Sequence, residues 1–136
     1  MTELKGMSLA ELGESVRNTV KPVRILWQTP DTIAFVARGR NGRTEFHSDP
    51  SDEVMYMIKG VMNLHYRTPE GEEKVLVLKE GEIMHCPAGI PHSPQRPAGT
   101  VGMVVERMRA EKEIDHLTWF CESCGNLLHD ATFHCK

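Results

Sequence analysis

The chain has 136 residues, of which 40% are apolar, and its formal net charge is −3. This composition supports a folded domain and argues against a disordered chain. The mildly acidic balance disfavours a nucleic-acid-binding protein, so we expect no nucleic-acid partner. No apolar run approaches the ~20 residues of a membrane span, and the acidic, polar N-terminus does not resemble a signal peptide. We therefore expect a cytoplasmic protein without a membrane partner.

The first predicted element is a short helix at residues 8–17. Ser8 and Glu11 have the spacing of a capping box, in which each side chain accepts a hydrogen bond from the backbone N–H of the other residue. Leu12 and Val16 follow at helical spacing and give this segment one apolar face. The pattern predicts a helix that packs one side against the rest of the protein.

Short apolar runs follow the helix, and Gly, Pro, Asn or Asp ends most of them. Their length and their content of β-branched and aromatic residues predict strands. The predicted strands cover residues 23–28, 32–38, 53–60, 61–67, 74–80, 82–87 and 101–108. Many short strands separated by turns indicate a β-sandwich or barrel, so the predicted fold class is mainly β.

The pattern of apolar runs ends near residue 110 and divides the chain into three segments. Residues 1–21 are predicted to be an N-terminal extension that contains the helix. Residues 22–110 are predicted to form the barrel, and residues 111–136 to form a C-terminal tail with a CxxC pair. One structural domain with two appended segments is therefore expected.

Three of the four cysteines lie in the tail, at Cys121, Cys124 and Cys135. In a reducing compartment a CxxC pair is typical of a metal or redox site rather than of a structural disulfide. The three thiols, with His129 or His134 as a fourth ligand, could hold a structural iron or zinc ion. A tail without metal is the alternative. Cys86 stands apart among apolar residues and is expected to be buried.

Two histidines and a glutamate in the barrel segment suggest a second kind of metal site. His47 precedes Glu53 by six residues, and His92 follows a turn region rich in Gly and Pro. Side chains alternate along a strand, so Glu53, Met55 and Met57 share one face. If that face is the barrel interior, two imidazoles and one carboxylate can converge on a cation. This set is typical of non-haem Fe(II) oxygenases, in which three positions stay open for substrate and O₂.

These two stretches resemble the paired motifs of the cupin superfamily, whose small β-barrels hold one metal. Cupins often have H-x-H in the first motif, and here Asp49 stands in place of the second histidine. The chain resembles more closely the 3-hydroxyanthranilate 3,4-dioxygenase family. The similar segments are Leu26-Trp27-Gln28 with Asp31, Arg43-Thr44 through Glu53, His92 through Pro97, Val105-Glu106-Arg107 with Arg109, and Trp119 through Gly125.

The resemblance implies a single-domain cupin, a small jelly-roll barrel with Fe(II) held by His47, Glu53 and His92. It also implies a ring-cleaving dioxygenase that converts 3-hydroxyanthranilate and O₂ to 2-amino-3-carboxymuconate semialdehyde. That product closes without enzyme to quinolinate, a precursor in NAD biosynthesis. Bacterial relatives have a second CxxC pair, and this chain lacks it. The departure concerns the structural metal of the tail and leaves the three iron ligands in place.

Three further residues are assigned to the substrate site. Arg43 lies four residues before His47, and Arg96 lies four residues after His92. A guanidinium binds a planar carboxylate through two charge-assisted hydrogen bonds, and by resemblance these are the family's carboxylate-binding arginines. By resemblance Glu106 is the catalytic acidic residue that contacts the ortho groups of the substrate. A partly buried carboxylate with a raised pKa would suit the role of general base.

Two alternatives to this assignment remain at the level of sequence. The first is a related cupin dioxygenase that acts on another ortho-aminophenol or on a salicylate-type acid. The second is a non-catalytic cupin that binds a small acid, although such a protein has no need for open metal positions or a base. By analogy with small cupins we also expect a homodimer.

Overall fold

The computed structural model of the protein describes residues 3–17 and 19–133. Its elements are the helix α1 (Leu9–Arg17) and the strands β1 (Val23–Gln28), β2 (Thr32–Arg38), β3 (Phe46–Ser48), β4 (Glu53–Lys59), β5 (Met62–Arg67), β6 (Glu73–Leu78), β7 (Ile83–Cys86), β8 (His92–Gln95), β9 (Val101–Arg107), β10 (Asp115–Phe120) and β11 (Leu127–Phe133). The predicted mainly-β class is confirmed.

The strands form two antiparallel sheets that enclose the interior of a barrel. The first sheet has the order β1-β2-β9-β4-β7, and the second has the order β11-β10-β3-β8-β5-β6. Strands that are distant in the sequence therefore become neighbours, as β2 and β9 do, and β3 and β8. This arrangement brings the two sequence motifs that contain histidine to the same sheet.

Large apolar side chains fill one part of the barrel interior. Alternation along β4 turns Met55 and Met57 inward, as predicted, and their exposed fractions are 3% and 0%. The buried side chains packed with them are Met62, Leu64, Leu78 and Val104. Methionine fills irregular gaps well, so this cluster fills that part of the interior and leaves the rest for polar groups.

The helix α1 covers the outer face of the first sheet. Ser8 Oγ accepts a hydrogen bond from the backbone N–H of Glu11 at 3.3 Å, which confirms the predicted capping interaction at this end. Val16, at 1% exposure, packs with Val36 and Val101 beneath the helix. The N-terminal segment therefore contributes a second, smaller core outside the barrel. The helix is too short to cross a lipid bilayer, and no other described segment is a membrane-spanning helix.

Four strands lie outside the predicted runs. β3 and β8 are short, and β10 and β11 lie within the predicted tail. β10 pairs with β3, with Leu117 opposite His47, so the second sheet continues beyond residue 110. The division of the chain at residues 21 and 110 stays a prediction. A backbone turn joins β5 and β6, with Gly71 N–H donating to Thr68 O at 2.9 Å.

Candidate metal centre and substrate cavity

The two sheets bring the three predicted ligands together inside the barrel. On the second sheet, His47 of β3 lies directly opposite His92 of β8. On the first sheet, Glu53 of β4 lies directly opposite Glu106 of β9. His92 Nε2 is 2.8 Å from Glu53 Oε2, so the contact joins the two sheets across the interior.

Asp49 adds a fourth donor side chain that the sequence interpretation did not include among the ligands. One donor atom from each of His47, Asp49, Glu53 and His92 lies within 4.8 Å of all the others. Asp49 Oδ1 accepts the backbone N–H of Ser51 at 3.0 Å, and Oδ2 points away from that turn. The signal in the sequence was its position, which in many cupins holds the second histidine of the H-x-H motif.

Two oxygen atoms of this group are buried without a hydrogen-bond donor among the described residues. They are Oδ2 of Asp49 and Oε2 of Glu53. Glu53 Oε2 is close to His92 Nε2, but the two atoms do not have hydrogen-bond geometry. Two donors about 2.1 Å from one cation and at right angles to each other stand roughly 3 Å apart, which is close to the observed separation. A cation would therefore satisfy oxygen atoms that the protein leaves unpaired.

Acidic side chains outnumber basic ones around this group. Apart from the two histidines, the buried or half-buried ionisable side chains that surround it are Asp49, Glu53, Glu106, Asp115, Arg96 and Arg109. Arg43 is compensated by Glu45. With both histidines neutral and all four carboxyl groups ionised, which are the forms that bind a metal, two negative charges remain uncompensated, and burial of uncompensated charge is strongly unfavourable. A divalent cation would offset both charges. The donor set of imidazole and carboxylate also suits a first-row transition metal.

His92 and Glu53, which form the contact between the sheets, have pKa values shifted in opposite directions. Burial opposes the charged form of His92, yet its neighbours Cys86 and Glu53 raise the pKa of His92 well above the ordinary value. Burial would raise the pKa of Glu53, and the contacts with His92 and Glu106 lower it instead. Without a metal, His92 is therefore a protonated partner of the Glu53 carboxylate. His92 Nδ1 is 2.9 Å from Ile90 O, so Nε2 is the nitrogen directed to the ligand group.

Glu106 has the raised pKa that the sequence interpretation associated with a general base. Burial, the hydrogen bond with Glu53 and the negative charge of Glu53 raise the pKa of Glu106 to about 7. Arg109 acts in the opposite direction, because its Nη1 donates to Glu106 Oε1 at 2.7 Å. Glu106 can thus exchange a proton near neutral pH, which is the range in which a general acid–base group is effective.

A cavity of about 310 Å³ opens beside the ligand group. Phe35, Met55 and Val104 form its apolar wall, and Arg43 and Arg96 supply cationic groups. This volume is near the lower end of the range of small-molecule sites, which suits a ligand with a single ring. The cavity therefore places every predicted substrate residue beside the predicted ligands.

The two arginines differ in their freedom to bind an anion. Arg96 is 7% exposed, and its Nη1 has no hydrogen-bond partner among the described residues. Burial and the positive charge of Arg43 lower the pKa of Arg96 to about 10, which still leaves it cationic at neutral pH. Arg43 donates from Nε to Glu45 Oε1 at 3.0 Å. Arg96 is the less satisfied cation, so it is the stronger candidate for a carboxylate partner.

The position of Arg96 depends on Asn41 and Gly102. Asn41 Oδ1 accepts the backbone N–H of Arg96 at 2.7 Å, and Asn41 Nδ2 donates to Pro94 O at 2.8 Å. A Cβ atom at Gly102 would overlap the guanidinium of Arg96. Neither residue was predicted to matter. Their roles depend on contacts between distant segments, and no local pattern in the sequence reports such contacts.

The predicted metal site of the tail is only partly within the described residues. Cys121 and Cys124 are thiols on a tight turn, in which Gly125 N–H donates to Cys121 O at 2.8 Å. Hydrogen bonds from the backbone of Cys124 lower the pKa of Cys121. Cys135 lies outside the described residues. A larger groove of about 580 Å³ lies beside this turn, and it contains none of the three predicted iron ligands.

Metal binding is expected to release protons and to weaken as the pH falls. Because the pKa of His92 is raised, an incoming cation must displace its proton at pH values where a free histidine is already neutral. Affinity should fall about tenfold per pH unit for each proton displaced. The negative charge of Glu53 helps to raise the pKa of Glu106 to about 7, and a cation on Glu53 would offset that charge. The pKa of Glu106 should then fall, so Glu106 should release a second proton when metal binds below about pH 7.

Calorimetry in buffers of different ionisation enthalpy, at about pH 6 and about pH 8, would count these protons. The matched variant is Glu106→Gln, which should release one proton fewer than the unmodified protein at the lower pH. Equal proton release by the two proteins would contradict the assignment of the second proton to Glu106.

The comparisons with known proteins agree with this geometry. Residues 7–136 match the family model described as 3-hydroxyanthranilic acid dioxygenase. The chain belongs to the 3-hydroxyanthranilic acid dioxygenase family. The 3-hydroxyanthranilate 3,4-dioxygenase of Bacillus thuringiensis is 38% identical over 129 residues, which cover 93% of this chain and 72% of that protein. The protein of the same name from Paraburkholderia phytofirmans is 40% identical over 112 residues, which cover 82% of this chain and 64% of that protein.

Solved structures show that this member of the 3-hydroxyanthranilic acid dioxygenase family has the cupin fold. A cupin-2 domain protein from Shewanella frigidimarina superposes with a TM-score of 0.56 at 19% identity, covering 69% of this chain and 87% of that chain. A protein from Neisseria meningitidis superposes with a TM-score of 0.57 at 18% identity, covering 76% of this chain and 99% of that chain. At this level of identity the likeness concerns the fold and confirms the predicted cupin barrel.

Proposed function

We propose that the protein is an Fe(II)-dependent dioxygenase that cleaves the ring of 3-hydroxyanthranilate to give 2-amino-3-carboxymuconate semialdehyde. One observation carries the proposal. His47, Glu53 and His92 converge with unpaired oxygen atoms in the cavity that also holds the unpaired guanidinium of Arg96. One small cavity thus contains donors for a metal ion and a guanidinium for a substrate carboxylate. These are the two features that binding of an aromatic amino acid at a metal requires.

We assign the iron to His47, Glu53 and His92, which form the two-histidine, one-carboxylate set of non-haem Fe(II) oxygenases. When bound there, Fe(II) would supply a coordination centre for both reactants and the electron transfer that the reaction of O₂ with an aromatic ring requires. Asp49 stands within the same group and offers its unpaired Oδ2. It is either a fourth ligand or a counter-ion of Arg109, whose Nη2 is 3.9 Å away.

The protein groups of the cavity would orient the substrate and move one proton. Arg96, joined by Arg43 when that residue leaves Glu45, would bind the substrate carboxylate and fix the direction of the ring. The ring would pack against Phe35 and Val104, which exclude water from this side of the cavity. Glu106, which is a carboxylate at neutral pH once a bound cation offsets the charge of Glu53, would accept the phenolic proton at its carboxylate oxygen.

The test is turnover by protein reconstituted with Fe(II) under anaerobic conditions. On addition of 3-hydroxyanthranilate and air, we expect stoichiometric oxygen uptake, a transient near-ultraviolet absorbance of the semialdehyde and its decay to quinolinate. Protein loaded with Zn(II) is the control and should consume no oxygen, because zinc has no redox chemistry. Anthranilate, which lacks the hydroxyl group, should also give no uptake.

The outcomes separate the proposal from its alternatives. Oxygen uptake with another ortho-aminophenol or with a salicylate, but not with 3-hydroxyanthranilate, would keep the dioxygenase and replace the substrate. Binding of aromatic acids without any oxygen uptake by the iron-loaded protein would indicate a non-catalytic cupin and would overturn the proposal.

We further propose that the protein works in the cytoplasm as a homodimer and that a structural iron or zinc ion binds its tail. A row of partly exposed apolar side chains on the edge strand β1, at Val23, Ile25 and Trp27, supports self-association. The CxxC turn at Cys121 and Cys124 supports both the reducing compartment and a tail metal. Light scattering and metal analysis of the purified chain would test the dimer and the tail ion.

A further inference from the structure

Arg109 is a buried guanidinium that connects two carboxylates of different strands. Its side chain is 5% exposed. Nη1 donates to Glu106 Oε1 at 2.7 Å, while Nε and Nη2 donate to the two oxygens of Asp115 at 3.0 Å and 2.6 Å. A guanidinium that binds one carboxylate with two parallel hydrogen bonds has a fixed orientation. Arg109 therefore fixes the direction of its third donor, which holds Glu106.

Asp115 extends this connection to a proposed metal ligand. Asp115 is fully buried, and its Oδ2 lies 2.6 Å from Nε2 of His47. The Asp115 carboxyl group therefore lies between the Arg109 guanidinium and the His47 ring. A carboxylate on one ring nitrogen sets the tautomer and the orientation of a histidine ligand. In this rotamer Nδ1 is the nitrogen of His47 that is left for a cation.

We propose that Arg109 and Asp115 are positioning residues that hold the base Glu106 and the ligand His47 in one rigid unit. The chain of contacts runs from Glu106 through Arg109 and Asp115 to His47 without a gap. It rests on the proposed function, because it presumes a metal on His47 and a base at Glu106. Its consequence is that the proton acceptor and the metal keep a constant separation, which a reaction between metal-bound groups requires.

Arg109 suits this task better than a lysine would. A lysine has one nitrogen and binds as a point charge, whereas the arginine holds Asp115 with two atoms and Glu106 with a third. The neighbouring Arg107 provides a matched control. It is exposed, and it pairs with Glu113 on the outside of the barrel through contacts of the same kind.

The test measures metal affinity and kinetics separately. Affinity for Co(II), a spectroscopic substitute for Fe(II), is measured by chelator competition and by the visible spectrum of the bound ion. We expect Asp115→Asn to weaken Co(II) binding by about 10- to 100-fold and to change its spectrum, as loss of an outer-shell partner does. Arg107→Lys should change neither the affinity nor the kcat.

Arg109→Lys should show a defect at both ends of the chain of contacts. We expect weaker Co(II) binding, as in Asp115→Asn, and in addition a fall in kcat of about 10- to 100-fold at saturating iron with little change in KM, since Glu106 loses its anchor. In the double variant, with both Asp115→Asn and Arg109→Lys, the two effects on Co(II) affinity should not multiply. Both changes disrupt the same contact between Arg109 and Asp115.

Three results would overturn the inference. They are unchanged Co(II) affinity in folded Asp115→Asn, equal effects of Arg107→Lys and Arg109→Lys, or fully multiplicative effects in the double variant. Circular dichroism establishes folding, and if Arg109→Lys does not fold, Asp115→Asn still decides, because its amide oxygen can accept from Arg109. Failure of the unmodified protein to bind Co(II) would instead contradict the proposed function.

Discussion

Replacing Glu53 with alanine is expected to abolish metal binding in the barrel and turnover together. Glu53 is 5% exposed, and its Oε2 is both close to His92 and without a hydrogen bond among the described residues. It is the carboxylate of the proposed iron site. Loss of an outer-shell partner costs up to about 100-fold in metal affinity, and loss of a ligand should cost more than that. We therefore expect affinity for Fe(II) or Co(II) to fall by more than about 100-fold.

Metal content after dialysis and oxygen uptake would both be measured. Glu53→Gln keeps the volume of the side chain and removes its charge, so it separates loss of the ligand from loss of packing. Glu72→Ala, at an exposed position of the turn between β5 and β6, is the control and should bind metal normally. Normal iron loading of the barrel site in Glu53→Ala would show that Glu53 is not an iron ligand.

The second large effect is expected from Arg96→Ala. The guanidinium of Arg96 is buried in the cavity with Nη1 unpaired, so a substrate carboxylate would complete its hydrogen bonds. Removing one partner of a buried hydrogen-bonded charge pair costs roughly 2–5 kcal/mol. Each 1.36 kcal/mol is a factor of ten, so kcat/KM for 3-hydroxyanthranilate should fall by about 30- to 5,000-fold. Iron content should stay unchanged, because Arg96 contacts none of the proposed ligands by hydrogen bond.

The measurement uses a pair of substrates that differ in the carboxylate. The variant should lose most of its kcat/KM for 3-hydroxyanthranilate and little of its slow turnover of 2-aminophenol, which lacks that group. Arg17→Ala, on the exposed side of α1, is the control for the loss of an arginine. If Arg96→Ala lowered turnover of both substrates equally, Arg96 would not be the carboxylate partner.

The regular strands and the interior face of β4 were predictable because local patterns determine them. Residues 23–28 and 32–38 form β1 and β2 with the predicted bounds, and alternation along β4 correctly placed Glu53 on the interior face with two methionines. Such features depend on period and on residue type. They need no knowledge of which strands become neighbours, so a single sequence was sufficient to predict them.

The strands and residues that were missed depend on contacts between distant parts of the chain. β3 has three residues, and β8 contains Pro94, which cannot donate a backbone hydrogen bond, so neither has a clear strand pattern. β10 lies in a segment interpreted as a tail, and its pairing with β3 buries Asp115 beside His47. The sequence showed Arg109 and Asp49 only as parts of a motif. The contacts of these two residues depend on how distant strands pair, so they can be identified only from the structure.

The absence of a side chain at Gly102 has a consequence for substrate selectivity. Gly102 lies on β9 between Ala37 and Met57, and the guanidinium of Arg96 occupies the space that a Cβ atom would need. The position of the guanidinium that we propose for the substrate carboxylate is thus set by bare backbone as well as by the arginine. Any larger residue at position 102 would displace the guanidinium of Arg96 and change the space left for the ring. A change of preferred acid in a descendant of this protein could therefore begin at a residue that touches no substrate.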